Sequence, residues 1–122
     1  MIDFKNANFL KLSPARMDAF DVSGMLVAGE EIVGVYQALR DGVVFTDKRI
    51  ITVNVQGVTG KKKDFTSLPY SKIQAYSVET AGTFDLDAEL ILWFSGMGTV
   101  KLDFVGKTDV SKICKMISER VL

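Results

Sequence analysis

The chain has 122 residues, of which 48% are hydrophobic, so it can form one domain with its own core and is not a disordered tail. Lysine and arginine number 15, as do aspartate and glutamate, so no net charge attracts nucleic acid or an anionic membrane. There is no histidine, which removes the commonest general base and metal ligand, and the single Cys114 cannot form an internal disulfide, which favours a cytoplasmic location.

The first thirty residues are predicted to form a short helical extension ahead of the main body. Ser13 and Pro14 suit the start of a helix, because serine caps the free amide groups and proline fits the first helical position. We therefore predict an N-terminal helical extension over residues 1–30 and a main body over residues 31–122, within a single domain overall.

From residue 31 onward, hydrophobic and polar residues alternate with the period of two that is typical of β-strands. Asp41-Gly42 indicates a tight turn, and Pro69 ends a strand because proline has no amide hydrogen for a central ladder. The seven predicted strands cover residues 32–39, 43–46, 49–55, 62–68, 72–79, 88–94 and 99–105.

A strongly amphipathic helix is predicted over residues 108–121, with Thr108 as its cap and Asp109 complementing the positive end of the helix dipole. The residues of its apolar stripe recur at helical spacing: Val110, Ile113, Cys114, Ile117 and Val121. We expect this stripe to pack on the strands, which would leave Cys114 buried and unreactive.

Chemical motifs are mostly missing from the chain. Asp85, Asp87 and Glu89 alternate, but a calcium or magnesium loop needs more oxygen ligands and a turn-forming glycine within it, so we predict no metal site. The glycine-rich stretch at residues 57–61 lacks the spacing of a phosphate-binding loop. We therefore predict no catalytic residue, no cofactor site and no enzymatic activity.

Charge is unevenly distributed, with a basic stretch at residues 40–63 and an acidic stretch at residues 79–89. These stretches are either solvated loops or two surfaces that meet between copies of the chain, and the sequence leaves both open. The lysine run at residues 61–63 lacks aromatic residues at stacking spacing, which argues against nucleic-acid binding. The candidate anion- or partner-binding residues are Lys61, Lys62 and Lys63, and the candidate contact residues between copies are Phe4, Phe9, Leu10, Arg49, Asp85 and Asp87.

Several motifs, in order, resemble those of bacterial pleckstrin-homology (PH)-like domains. Residues 41–51 (DGVVFTDKRII) resemble a family hairpin that often reads FTDKRLI, and residues 67–73 (SLPYSKI) resemble the family pattern S-I-P-Y-x-x-I. Residues 77–90 and Trp93 are similar to the most distinctive block of the family. The resemblance extends from about residue 29 to the end of the chain.

The resemblance implies a mainly β fold with one helix: a PH-like barrel or sandwich of two nearly orthogonal antiparallel sheets, about seven strands in all, capped by the C-terminal helix. It also implies a small cytoplasmic protein that assembles into a homo-oligomeric ring. We therefore expect a non-enzymatic interaction module whose partners are its own copies and an unknown protein. The alternative is a module that binds anionic lipid head groups or phosphorylated ligands through Lys61–Lys63, with at most peripheral membrane contact. The acidic Asp41 in the first hairpin argues against inositol-lipid specificity.

Overall fold

The structure, a computed structural model, describes residues 9–83, 87–106 and 108–122, and only the backbone of Phe9 and Leu10. Within these residues the chain forms eight strands, one short 3-10 turn and one helix. The elements are β1 (Phe9–Pro14), β2 (Ile32–Ala38), β3 (Asp41–Thr46), β4 (Arg49–Gln56), β5 (Lys62–Pro69), the 3-10 turn Tyr70–Lys72, β6 (Ile73–Glu79), β7 (Ala88–Phe94), β8 (Gly98–Phe104) and α1 (Val110–Val121). No helix among the described residues is long and apolar enough to cross a bilayer.

The strands form one sheet in the order β5-β4-β3-β2-β1-β8-β7-β6, so the prediction of two separate orthogonal sheets is wrong. Strand β1 causes the difference, because it pairs antiparallel with β2 and parallel with β8 and thereby joins the two halves.

The prediction of an N-terminal helix is also wrong. Ser13 and Pro14 end a strand instead of starting a helix, and residues 9–31 contain no helix. Leu12 of β1 is fully buried, and its burial favours the strand.

The first hairpin also turns two residues earlier than its sequence predicts. Ala38 pairs with Asp41, so the two-residue turn consists of Leu39 and Arg40, and Leu39 takes a positive φ of 50°. Gly42 lies inside β3, where its missing side chain leaves room for the ring of Phe20. The sequence pattern predicts a turn at this glycine, but in the structure Gly42 makes room for the packing of the Phe20 ring.

The main core lies between the sheet and α1. Val110, Ile113 and Ile117 of the helix are buried in it, as the helical spacing predicts. The helix begins one residue later than expected, because the cap is Asp109 and not Thr108. The Asp109 carboxylate accepts a hydrogen bond from the amide of Lys112 at 3.1 Å. Cys114 is only partly buried. The predicted C-terminal helix is thus confirmed, with its cap shifted by one residue.

A second, smaller core lies on the outer face of strands β2–β5. Residues 15–31, which we call the covering segment, pass over this face in a series of turns. The buried members of this core are Val22, Val35, Val44, Ile51 and Val53. Strands β3 and β4 are therefore buried on both faces, whereas nothing described covers the outer face of β6–β8 in the same way.

Candidate functional site

The motif at residues 41–51 forms a buried ionic network around Glu30. Arg49 donates from Nε to Glu30 Oε2 and from Nη2 to Oε1, both at 2.9 Å, so the pair is bidentate. The Thr46 hydroxyl donates to Oε2 at 2.6 Å, and the Val27 amide donates to Oε1 at 3.1 Å. The hydroxyl of Tyr70, from the second motif, donates to the Thr46 carbonyl at 2.7 Å. The two sequence motifs therefore meet in one place.

This network holds the covering segment on the sheet. Arg49 Nη2 also donates to the Met25 carbonyl at 2.6 Å, and the Asp47 amide donates to the Glu31 carbonyl at 3.0 Å. Burial would raise the pKa of Glu30, but the hydrogen bonds from Arg49, Thr46 and Val27 outweigh it and lower the pKa to about 2. The carboxylate therefore stays ionised, and its hydrogen bonds help to hold the covering segment on the sheet.

Arg49, one of the predicted contact residues between copies, uses its guanidinium for hydrogen bonds to Glu30 and Met25 of its own chain. Its side chain is 20% exposed, and that of Glu30 is 1% exposed. Phe4 and Asp85 lie outside the described residues, as do the side chains of Phe9 and Leu10, although the backbone of both belongs to β1. The role of these residues between copies stays a prediction.

The three predicted lysines lie together on the surface. Lys61, Lys62 and Lys63 are exposed and mark the start of β5, next to the loop between β4 and β5. Arg40 ties the first hairpin turn to this loop by donating to the carbonyls of Gly57 at 2.7 Å and Val55 at 3.1 Å. The two loops therefore form one basic end of the domain.

The acidic region lies across the ends of β6, β7 and β8. Glu79 is the cross-strand neighbour of Glu89, and Glu89 is that of Asp103. Glu89 forms an ion pair with Lys101 at 3.1 Å. Burial raises the pKa of Asp103, and the negative charge of Glu89 raises it further.

Asp87 is half-buried beside the acidic region and has interactions of its own. The described residues contain no group of three or more side chains arranged to hold a metal ion.

Trp93 is a surface feature that sequence reasoning did not single out as a contact residue. It lies on the outer face of β7, opposite Ala75 and Thr99 on the neighbouring strands, and it is 37% exposed. Tryptophan is enriched among residues that dominate binding energy at interfaces. The alternation of residues 88–94 would have placed it outward, since Ala88, Leu90, Leu92 and Phe94 point inward.

The two edge strands also lie close to charged groups. Strand β5 pairs only with β4, and β6 pairs only with β7, among the described residues. Free strand edges carry backbone donors and acceptors that can pair with another chain. The basic residues lie at the start of β5, and Glu79 lies at the end of β6.

A sheet packed around one main core, with a C-terminal helix against it, is the architecture of a PH-like domain. The bacterial PH domain family model matches residues 3–121, and the chain belongs to this family.

Its relatives include the uncharacterized protein YjqA of Bacillus subtilis, which is 47% identical over 95 residues, covering 78% of this chain and 75% of that protein. Among solved structures, a DUF1696 family protein with a pleckstrin-homology domain from Shewanella loihica PV-4 has a TM-score of 0.81 and 40% identity, and the match covers 93% of this chain and 99% of that one. A pleckstrin homology domain from Shewanella amazonensis SB2B has a TM-score of 0.65 and 46% identity, with coverage of 84% and 83%.

Proposed function

We propose that the protein is a non-enzymatic interaction module that assembles with its own copies into a closed ring and presents that ring to a protein partner in the cytoplasm. The observation that carries this proposal is the pair of edge strands, β5 and β6, which carry opposite charge and each have only one strand neighbour among the described residues. Two different surfaces that meet head to tail generate a ring when the rotation between copies closes.

We assign the contact as an antiparallel pairing of the two edge strands, which defines its register. Strand β5 has 8 residues and β6 has 7, so the two can pair along their full length. In an antiparallel pairing, the first residues of one strand face the last residues of the other. Lys62 and Lys63 of one copy would then face the end of β6 in the next copy, where Glu79 lies. Opposite charges directly across a strand pair stabilise it and set its register.

Charge reversal at both edges tests this contact. We expect Lys61→Glu/Lys62→Glu/Lys63→Glu to reduce the assembly to monomers at micromolar concentration, as measured by light scattering. Glu79→Lys should also weaken assembly, and an equal mixture of the two variants should assemble again, because every contact between unlike copies pairs opposite charges. Lys112→Glu/Lys115→Glu on the exposed face of α1 is the control and should assemble normally.

The outcome that contradicts the proposal is a wild-type protein that stays monomeric across ordinary salt concentrations. Assembly that survives both edge variants would retain the oligomer but exclude the β5–β6 contact. In that case the outer face of β7 around the partly exposed Trp93 would be the next surface to test, by Trp93→Ser.

A second candidate function is peripheral attachment to an anionic membrane. The specific observation is the basic end of the domain, where Leu39 is 99% exposed and Val58 is completely exposed at the tips of the two loops that Arg40 ties together. Apolar tips beside a lysine cluster suit the interface of an anionic bilayer, where about 1 kcal/mol is gained per basic residue near the surface.

Sedimentation with liposomes tests this candidate. We expect salt-sensitive binding to phosphatidylserine vesicles and no preference for a particular phosphoinositide, because Asp41 at this end is already used by the Val55 amide at 2.8 Å and repels phosphate. Leu39→Ser/Val58→Ser should weaken the binding if the tips insert. Tight binding that is specific for one head group and persists at high salt would make lipid recognition the main function.

A further inference from the structure

A small, mostly apolar pocket of about 260 Å³ lies between the end of β5 and the β7–β8 hairpin. Its position follows from the topology, because β5 and β6 are the two ends of the sheet and pair with β4 and β7 rather than with each other. The chain passes from β5 to β6 through Pro69 and the 3-10 turn, which leaves an open seam at this point. The pocket lies in that seam.

The apolar part of the pocket comes from well-packed residues. Leu68 and Phe94 belong to the main core and are 3% and 8% exposed, so their positions are fixed by the packing behind them. Pro69 and the half-buried Met97 complete the apolar wall. A methionine at such a site can adapt its side chain to ligands of different shape.

The polar groups of the pocket are cationic or neutral. Lys72 lies at its rim, is exposed, and has no acidic partner among the described residues. Ser67 accepts a hydrogen bond from Arg49 Nη1 at 3.1 Å, which leaves its own hydroxyl hydrogen free to donate. Ser95 is a further hydroxyl donor at the rim. No carboxylate lines the pocket.

We propose that this pocket binds a small apolar group that carries a carboxylate, with the apolar part against Leu68, Phe94 and Met97 and the carboxylate at Lys72. Few polar groups around an apolar pocket are the usual composition of a small-molecule site. The pocket volume corresponds to about nine water molecules, since each water molecule occupies roughly 30 Å³ in the liquid. The ligand is therefore either a free short-chain acid or the apolar C-terminal residue of a polypeptide, which share this chemistry.

Nuclear magnetic resonance titration of the full chain tests the site, with hexanoate, hexylamine and acetate as probes. We expect hexanoate to shift the amide resonances of Lys72, Ser95 and Met97 with a dissociation constant on the order of 1 mM, which is ordinary for so small a ligand. Hexylamine, which has the same apolar chain but opposite charge, and acetate, which lacks the chain, should each bind at least tenfold more weakly.

Two variants test the assigned groups. Lys72→Glu should weaken hexanoate binding at least tenfold and leave the fold intact because the side chain is exposed, whereas Lys115→Glu on α1 should change nothing. Met97→Asp should remove hexanoate binding, because it replaces part of the apolar wall with a carboxylate, and its amide spectrum reports whether the fold is retained.

The peptide Gly-Gly-Phe and its C-terminal amide separate the two sources of ligand. Binding of the free-acid peptide but not of its amide supports the end of a polypeptide, and binding of hexanoate alone supports a free acid. The proposal is overturned if hexanoate binds but no more tightly than hexylamine or acetate, if the shifts caused by the bound acid or peptide lie elsewhere, or if neither the acid nor the peptide binds.

Discussion

At the residue scale, the Glu30 carboxylate accepts four hydrogen bonds. Three of them, from Thr46 and Arg49, join the covering segment to the ends of β3 and β4 that flank their turn, and the fourth comes from the Val27 amide within the segment. An unpaired buried carboxylate destabilises the fold, so the contribution of Glu30 to stability depends on its bidentate partner Arg49. Replacing only one member of such a pair leaves the other without compensation in a poorly hydrated position. The network therefore predicts a pH dependence of folding.

We expect acid to weaken the fold through Glu30 in a defined pH range. Its folded-state pKa is about 2, below the ordinary value of 4.5, so its stabilising contribution is complete above pH 4.5 and is lost as the pH falls toward 2. Glu30→Gln should lower the free energy of unfolding by about 3 kcal/mol at pH 7. The difference from wild type should shrink between pH 4.5 and 2, as measured by urea denaturation at several pH values.

The neighbouring residue supplies the control for this prediction. Glu31 is exposed, so Glu31→Gln should change the free energy of unfolding by less than about 0.5 kcal/mol. A gap between wild type and Glu30→Gln that is constant from pH 7 to pH 2 would show that Glu30 is not the titrating group.

Gly42 gives a second prediction at the residue scale, because a methyl group there would overlap the Phe20 ring and lie 2.9 Å from the Tyr36 carbonyl oxygen. Gly42→Ala should lower the free energy of unfolding by about 1–3 kcal/mol through overpacking. Gly34→Ala in β2 is the matched control, since the nearest atom to its added methyl lies at an ordinary 3.5 Å. Thermal melting of both variants compares them directly.

The coupling between Gly42 and Phe20 can be measured separately. In a Phe20→Ala background, Gly42→Ala should cost less than it does in wild type, because the ring is gone. Equal costs in both backgrounds would mean that Phe20 does not occupy the space above Gly42.

At the element scale, α1 is the part of the fold that its sequence describes best. The spacing of Val110, Ile113 and Ile117 predicts a buried stripe, and these are the helix residues that the core buries. Helical periodicity depends on residues within a few turns, so it can be read without knowing the rest of the fold.

The helix prediction can be tested at its centre. Ile117→Asp would place an unpaired charge in the main core, where the isoleucine is fully buried, and should cost about 4 kcal/mol or more, which is enough to unfold a marginally stable domain. Lys115→Asp, two residues away on the exposed side, is the control and should melt near the wild-type temperature. An unchanged melting temperature for Ile117→Asp would show that this helix does not close the core.

Strand β1 and the covering segment show where the sequence is less informative. Ser13-Pro14 satisfies the local rules for a helix start, but the pairing of β1 with β2 and β8 comes from strands more than twenty residues away in the chain. Likewise, Asp41-Gly42 is a local turn pattern. The side chain that requires a glycine at this position, Phe20, is distant in the chain and is not part of that pattern. Long-range packing overrides local propensity at these positions.

At the scale of the whole molecule, the sequence predicted the charged surfaces better than their relation to the sheet. The basic and acidic stretches follow from the order of residues in the sequence, but the position of Lys62 and Glu79 on the two edge strands depends on the strand order. The seam pocket has no sequence pattern, since it joins residues 67–72 to residues 94–97.

The proposed head-to-tail contact makes a further prediction about the assembly as a whole. A heterologous contact either closes into a ring of fixed size or continues into an open filament. Because we propose closure, native mass spectrometry should give one fixed multiple of the monomer mass, unchanged over a hundredfold range of concentration above the assembly threshold. Raising the salt concentration should shift that threshold upward without producing intermediate sizes, since screening weakens the lysine–glutamate pairs at every contact alike. A mass that grows continuously with concentration would identify a filament and contradict the ring.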